Sequence, residues 1–213
     1  MEMVIIMNLK IGSWDINDIK LNDVDFITNL LTDEDLDVLT IQQVSFDLIN
    51  RIQKELGNVY SITSQYKRCL NPINNLRIKH DIIISKLDPV EESHIKKIPN
   101  SKLTFQMLKP ALFVYTTHSI NTKEQLNSIL NSFKELEMVS AISVLTGSIN
   151  LEYSDPNMQY FIEKLKQFRL KVVDNNCFDY MIVPNSWNVE ESKVLDINLV
   201  NTHNPIITKV KRK

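Results

Sequence analysis

The alternation of strand-like and helix-like segments along 213 residues predicts an α/β or α+β fold, with helices layered on sheets. Two observations carry that expectation. Short runs rich in Ile, Val and Leu recur at intervals, and between them apolar residues return at helical spacing. A third observation bounds it: no repeat, low-complexity segment or linker divides the chain, so a single domain is expected over residues 1–213.

The elements follow in order. Residues 4–14 read as a first strand. Phe26, Ile27, Leu30 and Leu31 share a helical face within 25–31. The run VLTIQQV in 37–44 reads as a buried strand. A helix over 45–56 carries the stripe Phe46, Leu48, Ile49, Ile52 and Leu56, with Gly57 as its C-cap. Strands are expected at 59–63 and 82–85, then a long polar surface connection over 86–103. LFVYTT in 112–117 is rich in β-formers, and 122–136 is an amphipathic helix with Leu126, Ile129, Leu130, Phe133 and Leu136 on one face. A strand at 140–145 and a helix at 157–168 come next. Strands at 178–183, 195–200 and 205–210 complete the series, and KVKRK at 209–213 reads as a solvated basic tail.

Composition narrows the function. The hydrophobic fraction of 43% and the charged fraction of 23% suit a globular domain. A net charge of −2 gives no domain-wide footprint for nucleic acid, since phosphate binding draws on a surplus of Lys and Arg. No apolar run approaches the ~20 residues of a membrane span. The first nine residues carry Glu2 and no basic leader, so a strand is expected there and not a signal peptide. Cys69 and Cys177 lie far apart without metal-ligand spacing, which suggests reduced thiols in the cytoplasm or nucleus. With only three glycines, many turns must rest on Asn and Asp. The weight of Ile, Asn and Lys suggests an AT-rich genome, such as that of a virus or parasite.

Polar residues cluster where the strands end. The segments are Ser13-Trp14-Asp15-Ile16-Asn17, Asp37-Val38-Leu39-Thr40-Ile41-Gln42-Gln43-Val44, Tyr115-Thr116-Thr117-His118, Leu145-Thr146-Gly147-Ser148-Ile149-Asn150, Phe178-Asp179-Tyr180-Met181-Ile182-Val183 and Asn201-Thr202-His203-Asn204-Pro205-Ile206. No one of them is specific. In this order they resemble the strand ends of the endonuclease/exonuclease/phosphatase superfamily, the DNase I-like hydrolases, over nearly the whole chain. That resemblance implies a four-layer α/β sandwich of two packed, mostly antiparallel sheets flanked by helices. It also implies metal-dependent phosphoester hydrolysis with Mg²⁺ or Mn²⁺, because a hard cation wants oxygen ligands and charge builds on the phosphoryl group in the transition state.

The matched positions divide. Asp15, His118, Asn150, Asp179 and His203 are the candidate site residues, with Asp15 and Asp179 the expected ligands if a metal binds. Gln43 stands where the resemblance implies a metal-binding Glu, and Ser148 where it implies a catalytic Asp. Thr202 stands where it implies the Asp that orients His203, so His203 is expected to lack a charged partner. Asp15 itself replaces an Asn. The expectation is a catalytically inactive relative that binds or scaffolds, with no cofactor, a protein partner, and a groove that is shallow or partly filled around Gln43 and Ser148. A divergent metal-dependent phosphodiesterase or nuclease is the alternative, and a non-cleaving nucleic-acid-binding module a further one.

Overall fold

A computed structural model of the chain describes residues 8–16, 24–64, 79–90, 103–109, 112–137, 142–173, 179–197 and 203–212. Eleven strands and four helices are found among them. The strands are β1 (Asn8–Asp15), β2 (Val38–Val44), β3 (Ser61–Ser64), β4 (His80–Ser85), β5 (Thr104–Leu108), β6 (Leu112–Ile120), β7 (Ile142–Ile149), β8 (Leu170–Val173), β9 (Asp179–Pro184), β10 (Trp187–Val194) and β11 (Ile206–Arg212). The helices are α1 (Val24–Asp33), α2 (Phe46–Leu56), α3 (Lys123–Glu137) and α4 (Pro156–Gln167).

The strands form two sheets, ordered β10-β11-β1-β2-β4-β3 and β5-β6-β7-β9-β8. Each sheet has one parallel pair, β1 with β2 and β6 with β7, and each such pair is joined through a helix, as a parallel crossover requires. All other pairings are antiparallel. Setting β10 aside, the sheets repeat one plan: an antiparallel strand, a strand–helix–strand unit, a second helix, then a hairpin whose inner strand pairs with the second parallel strand. Under that repeat β4 corresponds to β9, Thr40 to Thr146, and Asp81 to Asp179, since Thr40 pairs with Ile83 and Thr146 with Met181.

Period-two alternation sorts the side chains into three apolar layers. Leu39, Ile41, Ile82 and Ile84 face the helical side of the first sheet, in one cluster with Ile27 and Leu31 of α1 and Leu48 and Ile52 of α2. Tyr115, Leu145 and Ile182 do the same in the second sheet, with Leu126 and Ile129 of α3 and Phe161 and Leu165 of α4. Between the sheets lie Leu9, Ile11, Val38, Ile83, Val114, Val144, Met181 and Val183. The order is therefore helix, sheet, sheet, helix, the four-layer sandwich.

The layer between the sheets is apolar only over part of its length. The same alternation carries it from Ile11 to Ser13 and Asp15, from Val38 to Thr40 and Gln42, from Val114 to Thr116, and from Val144 to Thr146 and Ser148. There the sheets are joined by hydrogen bonds. The Thr40 and Thr146 hydroxyls lie 2.7 Å apart, and the Gln42 amide donates to Thr116 Oγ1 at 2.7 Å and to Thr40 Oγ1 at 3.1 Å. A buried polar stripe at one end of a sandwich is costly unless bonded, and it leads to the candidate site.

The structure moves several expected boundaries. The strand expected at 195–200 lies earlier: β10 ends at Val194, residues 195–197 are not strand, and 198–200 lie outside the described residues. β5 and β8 fall in 104–108 and 170–173, where no element was expected; both are four- or five-residue strands at a sheet edge. The KVKRK tail is not free: residues 209–212 belong to β11, Val210 is buried, and Lys209 pairs with Glu190 at 3.0 Å. Cys69 and Cys177 lie outside the described residues.

Gly57 is the C-cap of α2, as expected; it is right-handed, with φ −63° and ψ −13°, and its backbone N–H donates to the Gln53 carbonyl. The other end of α2 is capped by Ser45, whose hydroxyl accepts from the Leu48 backbone N–H at 3.3 Å. Ser45→Ala is expected to cost about 1 kcal/mol in chemical denaturation. An unchanged midpoint would show that the cap contributes nothing.

Candidate functional site

The polar end of the sandwich gathers two acid–imidazole pairs, and each spans the sheets. Asp179 opens β9 in the second sheet, and its Oδ2 lies 2.7 Å from Nδ1 of His203, which leads into β11 of the first. Asp81 lies in β4 of the first sheet, and its Oδ1 is 2.6 Å from Nδ1 of His118 in β6 of the second. Both acids are buried and both rings are partly exposed. In each pair it is Nδ1 of the ring that the carboxylate engages.

The backbone fixes His203 independently. Its N–H donates to the Asp15 carbonyl at 3.3 Å, and its carbonyl accepts from the Trp14 indole N–H at 2.9 Å. Trp14 is a buried core aromatic, with its one polar atom spent on holding the site. The Asp179 hydrogen bond, together with the charges of Asp179 and Asp15, holds the His203 imidazolium above the usual histidine range against the opposing effect of burial. The expectation that Thr202 leaves His203 without a charged partner is corrected here: the partner is Asp179. Thr202 itself lies outside the described residues. Beside the other pair, His80 is pushed down by burial, with Asp81 opposing that shift and His118 adding to it.

Gln43 joins Asp15 to the Asp81–His118 pair. Its side-chain amide donates to Asp15 Oδ1 at 2.8 Å, and its backbone N–H to Asp81 Oδ1 at 3.3 Å. It reaches both because it sits at an irregularity in the β2–β4 register with φ +62°, an uncommon conformation for a residue with a side chain. Ser148 lies directly across from Asp179 and is buried. Its hydroxyl donates to Oδ1 of the exposed Asn150 at 3.0 Å.

Asp15, Asp179 and His203 come together, each offering one ligand atom with all of these within 4.8 Å of one another. His118 belongs to the Asp81 pair instead. Asp81 was missed in sequence, where it precedes the run IIIS at the start of a strand with no motif to mark it.

Mg²⁺, which the resemblance implies, prefers an octahedral set of oxygens with charged anchors. Here Asp15 Oδ1 accepts an amide N–H, Asp179 Oδ2 is held by an imidazole, and the third member is a ring nitrogen. As arranged, the donors do not fit that ion, although Asp179 Oδ1 is buried with no hydrogen-bond partner among the described residues.

The comparisons bear on the fold. No protein-family model matches the chain, and no curated protein matches its sequence. Solved structures do. An endonuclease/exonuclease/phosphatase from Beutenbergia cavernae superposes with a TM-score of 0.71 at 13% identity, covering 96% of this chain and 72% of its own. One from Bacteroides vulgatus gives 0.70 at 14% identity, covering 97% and 100%. The 3'-5' exonuclease NExo from Neisseria meningitidis gives 0.66 at 13% identity, covering 94% and 98%. The chain has the endonuclease/exonuclease/phosphatase, or DNase I-like, fold. Among the described residues no helix is long and apolar enough to cross a membrane.

Proposed function

We propose that this chain is a binding or scaffolding component built on a phosphoesterase fold, with a protein partner, and that it has given up efficient hydrolysis. The observation behind this reading is that Gln43 and Ser148 are hydrogen-bonded to Asp15 and Asn150, in positions where the resemblance calls for carboxylates. A serine whose hydroxyl donates to an amide has no base to take its proton. What remains is suited to a phosphoryl oxygen at His203, whose imidazolium donates through Nε2, and at the NH₂ of Asn150.

A second reading, a divergent metal-dependent phosphodiesterase, is favoured by the proximity of Asp15, Asp179 and His203 and by Asp179 Oδ1, which has no hydrogen-bond partner among the described residues. Turnover of a simple activated phosphodiester with Mg²⁺ or Mn²⁺ separates the two. The wild type is expected to match the background rate, and Gln43→Glu/Ser148→Asp to gain about 10²-fold or more, the scale on which single members of such a unit act. Metal-dependent turnover by the wild type that Asp179→Ala abolishes would establish the second reading instead.

A further inference from the structure

We infer that Gln43 takes the place of a divalent cation at this site, so that its buried acids are held in position without metal. Three carboxylates lie at one end of the sandwich, Asp15, Asp81 and Asp179, each no more than 4% exposed. Buried carboxylates need a cation or N–H donors to remain charged. Here N–H donors reach all three. Asp179 is held by His203, Asp81 by His118 and the Gln43 backbone, and Asp15 by the Gln43 amide.

One residue thus supplies two of the donors, to acids on two different strands. The positive φ of Gln43 makes that reach feasible, since a regular strand would turn its backbone N–H and its side chain to other partners. Because Asp15 Oδ1 is an acceptor, the NH₂ of Gln43 must face it; the amide oxygen would be repelled. A cation approaching Asp15 Oδ1 would have to displace this amide. Gln43 is therefore a positioning residue, and a negatively charged side chain at 43 would reverse the arrangement. Two carboxylates at this spacing cannot both ionise without a cation or a shared proton.

The inference rests on the non-hydrolytic reading but fails separately from it. The test is metal titration of wild type and Gln43→Glu, followed by melting temperature and by the ¹⁵N signal of the Gln43 side-chain amide, assigned by its loss in the variant. The wild type is expected to keep a flat melting temperature and an unmoved, exchange-protected amide signal up to millimolar Mg²⁺ or Mn²⁺. Gln43→Glu is expected to melt about 5 °C lower without metal and to recover on adding Mn²⁺, as a ligand bound only to the folded state requires.

Saturable binding by the wild type that moves the Gln43 amide signal overturns the inference, even if no turnover follows. So does a Gln43→Glu protein as stable as wild type and indifferent to metal. If Gln43→Glu does not fold, the wild-type amide signal decides alone. Metal-free turnover by the wild type would instead sink the non-hydrolytic reading and leave this inference standing.

Discussion

Gly147→Ala is expected to be the most damaging single substitution in the second sheet, costing about 4 kcal/mol or more and in practice abolishing a stable fold. Gly147 has φ +116°, outside even the left-handed region that Asn and Asp tolerate, so any side chain there is strained. Space is lacking as well. A Cβ at Gly147 would lie 2.0 Å from the Thr117 carbonyl oxygen, a backbone atom of the adjacent strand. β6 cannot yield easily, because it is paired on both sides, with β5 and with β7. Gly12→Ala is the control: its Cβ would meet only the methyl ends of Leu36 and Leu39, which can move. Denaturant midpoints measure both. A Gly147→Ala protein within 1 kcal/mol of wild type would mean that β6 and β7 are not packed as described.

Asp179→Asn is expected to return the His203 pKa toward its ordinary value near 6.5 and to remove about 2 kcal/mol of stability at low pH, the scale of a charge-assisted hydrogen bond. The sign follows from proton binding. Folded His203 holds its proton to higher pH than the unfolded chain does. Its contribution is complete below about pH 6.5 and is lost as pH rises through the folded pKa. Wild type and Asp179→Asn should therefore differ most in mildly acidic buffer and converge in alkaline buffer. Ring ¹⁵N shifts of His203 across pH report the pKa directly. An unshifted titration in the variant would show that Asp179 does not govern the ring.

The elements legible in sequence were those whose apolar pattern answers to a core. β2, β7, α2 and α3 bury stripes that period alone reveals. β10 was misplaced because it is an edge strand with WNVEESKV alternating charge and solvent exposure, protected from further pairing by a register shift between Val189 and Glu191. β11 was cut short because its outward residues Lys209 and Lys211 read as a tail, although Val210 between them is buried.

The candidate residues were legible only in part, and their pairings not at all: Asp81 was missed, and His118 belongs with it and not with Asp15, Asp179 and His203. Asp15, Asp179 and His203 were identified from strand ends, and they do meet. Their partners were not readable, because a hydrogen bond such as that of His203 to Asp179 joins positions 24 residues apart on different sheets, and sequence order says nothing about which acid reaches which ring. Asp81 is the same case: its role rests on His118, 37 residues away. The double role of Gln43 depends on a local backbone conformation that no residue type announces.

The two acid–imidazole pairs each stitch one sheet to the other, with the acid in the first sheet in one pair and in the second sheet in the other. The site is therefore a clasp. A ligand that engaged both pairs would stabilise the seam along which the two repeats meet, and the whole sandwich with it. Slow-exchanging amides of β1, β2, β6 and β7, on either side of the Thr40–Thr146 contact, would then be protected together when the clasp is occupied. Parting the repeats would undo both halves of the clasp at once.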